Sequence, residues 1–468
     1  MTKDVFWKLG ICELSQAYRN GAMTPIEVAE AYRARIDRID PILNCYVAIN
    51  PALADEAAES ADRIAAGAPR SPLEGVPVAV KDNLVTRGMP VSWGSAVFAE
   101  QGICSHDELP VSRLREAGAV ILGKTNTPEF AVEGYTHNRL YGTTGNAWNP
   151  ALTPGGSSGG SVSAVAAGLA AAAIGTDGGG SIRRPAGYTG LLGLKPTIGA
   201  VPRAGGLPQV LLDFEVVGGL ARSAADQRVL HAVLAGEDRA DPMSRRRISG
   251  QPLPESLRIL YVPVLGDNPC DPGILKCCGE LADRLRDLGH QVTEDAMPFD
   301  LAALNDFWPR FGQIGLAAMR NAIPEMAAKA SSPYLDMADM GASVAAPDFY
   351  AALDLVRDLR AATSAFFADW NVIMTPSSAA QPWAAAEPFP PEIAGRPVGP
   401  RGHAVYTGWV NAAGLPGLNL SAGMDGDGMP VGAQLVGDLF SESMLLDMAA
   451  SLEADHGGWR FPDWLDDE

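Results

Sequence analysis

The chain has 468 residues with a formal net charge of −19, 47% hydrophobic and 19% charged residues, the balance of a globular protein with room for a sizeable core. Phosphate binding draws on clustered Lys and Arg, so this acidic balance argues against nucleic acid as a partner. The opening MTKDVFWKLGICEL lacks the basic start and apolar core of a secretory signal, so a cytoplasmic protein with no membrane partner is expected.

Length alone would allow about three domains of roughly 150 residues, although large α/β enzymes exceed that size. Apolar strand-like runs alternate with longer helical patterns, the signature of a layered α/β fold. Residues 76–80 (VPVAV) read as a short buried strand that delivers Lys81 at its carboxyl end, where open α/β sheets bind ligands. Residues 154–185 read PGGSSGGSVSAVAAGLAAAAIGTDGGGSIRRP, two islands of serine in glycine. Turns explain one island well and the pair less well. The run 162–174 between them reads as a buried helix, apolar all round, that holds both islands against one core. It is too short for the roughly 20 residues that span a bilayer.

Further along, 258–264 (RILYVPV) is a predicted strand, followed by a helix with Asp271 at its cap, Pro272 in its first turn and Gly289 near its stop. Residues 371–374 and 431–436 read as additional strands. The segments 237–256 and 378–402, rich in Pro with charge or Gly, read as loops. No repeat of fixed period occurs.

Metal chemistry finds little support. The six cysteines (12, 45, 104, 270, 277 and 278) form no C-x-x-C pair, and the six histidines (106, 137, 231, 290, 403 and 456) form no H-E-x-x-H. Cys104 and His106 are close enough to suggest ligation, but a plain loop is the better reading. Three nucleophile and phosphate motifs also fail. Residues 155–159 (GGSSG) satisfy G-x-S-x-G, yet that elbow needs a strand just before it, and the lead-in WNPALTP carries two prolines. Neither island has the lysine of a phosphate-cradling loop, and no S-x-x-K is present. A serine nucleophile would then need a base other than a motif-placed histidine. A lysine can serve if desolvation lowers its pKa from about 10.4. Lys81, starting from VPVAV, is a candidate, although a lysine ending a strand is more often a solvated charge.

Taken together, VPVAVKDN, GGSSGGS and GTDGGGSIRRPA resemble the amidase signature family, and Ser157 and Ser181 stand 24 residues apart, as in that family. The resemblance extends through LREAGAVILGKTNTPEFA, GLLGLKP, VIMTP and MPVGAQLVG in the expected order. It implies a single α/β/α layered domain over 1–468, a mixed β-sheet covered by helices, with a signature core over about 76–207 and a variable substrate-pocket region over about 300–400. It further implies a Ser-Ser-Lys triad: Ser181 as nucleophile, Ser157 after a cis peptide bond as proton relay, and Lys81 as the neutral base. Backbone N–H groups of Gly178, Gly179, Gly180 and Ser181 would hold the oxyanion. Ser158 and Asp177 are expected to brace these loops.

Two departures bear on the substrate pocket: Gly178 stands where the family often has threonine, and Gly187-Tyr188-Thr189 where Ala-Phe-Cys is common. Arg183 matches a common family arginine and reads as structural. Arg184 is less usual, and two roles stay open for it, an internal salt bridge or a bidentate contact to an acid substrate. Phe307, Trp308, Phe311, Trp383 and Phe389 could line an apolar pocket, though the i, i+4 spacing of Phe307 and Phe311 favours helix core. The expected activity is hydrolysis of a small or medium carboxamide, without cofactor or metal. The alternatives are the family's amidotransferase subunit, which releases ammonia from glutamine for a partner that modifies aminoacyl-tRNA, and a binding module, against which the intact triad argues. The oligomeric state stays open, a homodimer included.

Overall fold

In the computed structural model, which describes residues 3–245 and 254–466, eleven strands form one mixed sheet. From one edge to the other the strands are Tyr46–Ile49, Val120–Thr125, Pro77–Lys81, Ala172–Asp177, Val216–Ala221, Leu192–Lys195, Gly417–Met424, Pro430–Gly437, Val372–Pro376, Arg258–Tyr261 and Gln291–Glu294. Pro77–Lys81 runs parallel to both neighbours, and the strands from Ala172–Asp177 to Val372–Pro376 alternate antiparallel. Helices flank this sheet. Pro77–Lys81, Ala172–Asp177, Val216–Ala221 and Pro430–Gly437 are buried along their whole length, as strands covered on both faces are.

The run 162–174 corrects one expectation. It is not a single helix: Gly159–Ala166 is helical, Gly168 turns the chain at φ +66°, and Ala172–Asp177 enters the sheet between Pro77–Lys81 and Val216–Ala221. Periodicity cannot separate a buried strand from a buried helix when every side chain is small and apolar. Helix and strand together still serve the anticipated purpose, since the first island opens the helix and the second follows the strand.

The other predicted elements are present with adjusted ends. The strand predicted over 76–80 spans Pro77–Lys81 and so includes Lys81 itself. The 258–264 run is a strand only over Arg258–Tyr261. Its helix spans Pro272–Asp287 with Asp271 at the N-cap position, where the carboxylate accepts from the N–H groups of Gln381 and Ala394 rather than from the helix. Of the loop predicted at 237–256, residues 246–253 lie outside the described residues, and Pro242–Arg245 form a 3-10 turn. The 378–402 loop carries a small hairpin, Glu392–Ile393 with Arg396–Pro397.

Helix Arg183–Thr189 lies close against the strands Leu192–Lys195, Gly417–Met424 and Pro430–Gly437, and glycine makes this possible. A Cβ on Gly432 would overlap the Cα of Gly187, and one on Gly193 would lie 2.6 Å from Ala186 Cβ. The strand ends and helix start thus converge at Ser181.

Candidate active site

Lys81 ends its strand fully buried, and its Nζ lies 2.8 Å from Ser157 Oγ and 2.9 Å from Thr176 Oγ1. The Thr176 hydroxyl also accepts from Asn83 Nδ2 at 2.9 Å. No carboxylate pairs with Lys81 among the described residues. Burial therefore dominates, pulling Lys81 from 10.5 down to about 7 against the fields of Glu215 and Asp177, which favour its charge. Glu215 is itself paired with Arg203 at 2.7 Å.

Ser157 follows a cis peptide bond from Gly156. Just after it, the N–H of Ser158 donates to the carbonyl of Ser181 at 3.2 Å, and Ser158 Oγ donates to Thr176 O at 3.3 Å. These bonds tie the first serine island to the second and to the strand between them. Exposure orders the three side chains: 8% for Ser181, 1% for Ser157 and none for Lys81. Ser181 thus stands at the mouth with the lysine deepest. No hydrogen bond joins the Ser157 and Ser181 hydroxyls directly among the described residues.

Asp177 shapes the second island. Its carboxylate accepts from the N–H of Gly180 at 2.7 Å, of Ile182 at 3.1 Å and of Arg183 at 3.3 Å, and forms a two-point pair with Arg183 through Nε (3.0 Å) and Nη2 (2.8 Å). Asn411 Nδ2 adds a bond at 3.0 Å. Desolvation alone would raise this buried carboxyl, yet the Arg183 guanidinium, with Lys195 and Asn411, holds it far below the usual carboxylate range. Arg183 is also bound by Gln434 Oε1 and Asn411 Oδ1, each at 2.5 Å. The Gly180 N–H is therefore occupied. The N–H groups of Gly178, Gly179 and Ser181 carry no intrachain hydrogen bond among the described residues.

The Gly179–Gly180 peptide is fixed at its other end as well, because the Gly179 carbonyl accepts from Arg184 Nη1 at 2.5 Å and Thr407 Oγ1 at 2.7 Å. Gly180 has φ +113°, and a Cβ there would overlap Thr407 Oγ1 and crowd Arg184 Nη1, so only glycine fits. Gly178 faces Leu211, whose Cδ1 would stand 2.5 Å from an added Cβ. Leu211 fills the space a threonine would need. Arg184 forms no ion pair among the described residues, so the internal salt bridge is not what holds it.

Phe307, Trp308 and Phe311 all lie buried in helix Ala302–Ala322. The ring of Trp308 tilts against Phe214 at 5.4 Å, and its Nε1 approaches within 3.2 Å of where a Gly179 Cβ would be. Trp308 thus reaches the second island, while Phe307 and Phe311 pack with one another. Trp383 packs edge-on to Tyr188, whose hydroxyl contacts Ser378 Oγ at 2.5 Å; Phe389 is half-buried in the same loop. His106 lies apart, with Nε2 on the Gly205 carbonyl at 2.9 Å. Sequence reading missed Thr176, Thr407 and Asn411. Thr176 had a signal, since it lies within GTDGGGS, but Thr407 and Asn411 are distant in the chain and carry no motif.

The Amidase family model matches residues 27–446. The chain is 32% identical to a glutamyl-tRNA(Gln) amidotransferase subunit of Synechococcus sp. (strain CC9311), covering 95% of this chain and 96% of that protein. It is 30% identical to an acylamidase of Rhodococcus erythropolis, covering 97% of each. Among solved structures, a bacterial aryl acylamidase of the amidase signature family is similar with a TM-score of 0.89 at 26% identity, over 98% of both chains.

Proposed function

The chain belongs to the amidase family and is an amidase, and we propose that it hydrolyses a small or medium carboxamide through an acyl-Ser181 intermediate. Ser181 Oγ attacks the amide carbonyl while its proton passes to Ser157, whose own proton passes to neutral Lys81. A hydroxyl donates and accepts at once, which suits Ser157 to the relay. The oxyanion falls to the N–H groups of Gly178, Gly179 and Ser181, and Gly180 N–H serves instead to hold the loop through Asp177. The C–N bond breaks as Lys81 returns its proton through Ser157 to the leaving nitrogen. Water then attacks the acyl-enzyme by the same relay and regenerates Ser181.

The observation that carries this reading is the contact between Lys81 Nζ and Ser157 Oγ, with no carboxylate among the described residues paired to the lysine, since a lysine so desolvated is available as a base near neutral pH. Ser181→Ala should abolish turnover and labelling by a serine-directed phosphonofluoridate. Labelling that persists at another serine would overturn the assignment. The purified chain alone should release ammonia or amine from a panel of aryl, alkyl and dicarboxylic amides. Activity only with a partner and tRNA would instead favour the amidotransferase role. We place the enzyme in the cytoplasm, a reading supported by six free cysteines; no helix among the described residues is long and apolar enough to cross a membrane. One sheet drawing strands from Tyr46 to Gly437 supports a single catalytic domain.

A further inference from the structure

We propose that Arg203 is a positioning residue for the catalytic base: by holding Glu215 in an ion pair it keeps that carboxylate from pairing with Lys81, which stays neutral for the proton relay. This rests on the amidase reading and adds the group that guards its base.

Backbone register brings Glu215 to the site. Its own backbone is extended, with φ −84° and ψ 124°. It leads into the strand Val216–Ala221, where Val217 stands opposite Thr176 in the antiparallel pair. Residues two apart in extended chain share a face, as do residues directly opposite one another. Glu215 therefore projects on the face that carries the Thr176 hydroxyl, which lies 2.9 Å from Lys81 Nζ. Its side chain also runs along the second serine island, since a Cβ on Gly178 would lie 3.4 Å from Glu215 Cβ and 3.6 Å from its Cγ.

The other charges around Lys81 are engaged elsewhere. Asp177 is bound to Arg183 at two points. Asp82 follows Lys81 in the chain and is turned to other partners, Lys124 Nζ at 3.4 Å and the N–H and hydroxyl of Ser92. Helix Gly159–Ala166 carries no charged residue. The field of Glu215 favours a charge on Lys81 most, ahead of that of Asp177, and the field of Arg203 opposes it. Released from its pair, Glu215 is the acid that would turn Lys81 into the cation of an ion pair.

Arg203 prevents this from a fixed position. Its Nη1 lies 2.7 Å from Glu215 Oε1 and its Nε 2.8 Å from Glu108 Oε1, while its backbone N–H donates to Asp241 Oδ2 at 3.0 Å. Glu108 is backed by Gly206, where a Cβ would collide with the carboxylate, and its N–H donates to the Val85 carbonyl at 2.8 Å. The side chains are little exposed, 11% for Arg203, 16% for Glu215 and 1% for Glu108, so water does not screen these pairs as it does on an open surface. Burial works against the guanidinium's charge, and Glu108 and Glu215 more than restore it. Glu108 thus fixes the guanidinium that Glu215 needs.

The test reads Lys81 itself, so that it stands apart from turnover. Ser181→Ala protein carrying isotopically labelled lysine is titrated by NMR from pH 5.5 to 10, with the Lys81 Cε resonance assigned by its loss in Lys81→Met. Arg203→Gln combined with Glu108→Gln frees Glu215 alone, and should raise the Lys81 midpoint by at least about one pH unit. Adding Glu215→Gln should return it to within about half a unit of the form with Arg203 intact. Glu215→Gln by itself, the mildest change, leaves the field of Arg203 less opposed and should lower the midpoint. With Ser181 intact, the kcat/KM profile should move by the same intervals, which a purely structural role would not produce. Equal midpoints in all forms, or a rise that survives Glu215→Gln, would overturn the proposal. If wild-type protein hydrolyses no amide while the midpoints move as stated, the amidase mechanism fails and the hold on Glu215 stands.

Discussion

Lys81 gives the sharpest prediction because its environment fixes both a rate profile and a stability. Burial brings it to about 7, and the relay works only when it is neutral. About one molecule in eleven is then competent at pH 6 and about ten in eleven at pH 8, so kcat/KM should rise about tenfold across that interval and level off above it. A lysine at its reference value of 10.5 would give a rise of about a hundredfold over the same interval, with no plateau. Stability follows with a definite sign. The folded pKa lies below the unfolded one, so below pH 7 both states carry the charge and the folded state bears the whole desolvation cost. The gap between 10.5 and about 7 corresponds to about 5 kcal/mol. The cost fades as pH climbs toward 10.5 and vanishes above it. Lys81→Met should therefore be inactive yet more stable than wild type at pH 7, by up to about 4 kcal/mol less about 1–2 kcal/mol for the lost bonds to Ser157 and Thr176. Rate profiles from pH 5.5 to 10 and urea unfolding at pH 7 measure the two effects. A flat profile between pH 6 and 8, or Lys81→Ala retaining the wild-type profile in its residual activity, would refute the general-base role. A Lys81→Met protein less stable than wild type would refute the desolvation argument.

Ser157→Ala should cut turnover severely but leave some phosphonofluoridate labelling of Ser181, since water can partly replace a relay hydroxyl; near-normal turnover would remove Ser157 from the mechanism. Asp177→Asn leaves the Arg183 charge uncompensated in the core and should cost about 3–5 kcal/mol in chemical unfolding; a loss under about 1 kcal/mol would mean that Gln434 and Asn411 suffice. Gly180→Ala, at φ +113° against Thr407 and Arg184, should lower kcat more than about a hundredfold while circular dichroism stays native; unchanged kcat would show that the loop geometry is dispensable.

The sequence by itself determined the local pieces. A buried strand ending in Lys81 follows from VPVAVK, and two tight turns that present serine follow from GGSSGGS and GGGS, because each depends on neighbours within a few residues. Pro272 after Asp271 marked a helix start for the same reason. What lay between the two islands was not legible: Val162–Ile174 has no polar residue except Ser163 to reveal its period, and only the slot between Pro77–Lys81 and Val216–Ala221 makes its second half a strand. Charge partners were hidden more deeply. Arg183 and Arg184 are adjacent and chemically identical, yet one is saturated and the other open, and two of the side chains that complete the Arg183 shell, Asn411 and Gln434, are more than 220 positions away. The depression of Lys81 likewise comes from burial supplied by distant chain. Local sequence sets backbone shape through sterics that act over a few bonds, whereas desolvation and pairing depend on which remote segments fill the space around a side chain, and that is decided only when the sheet is assembled.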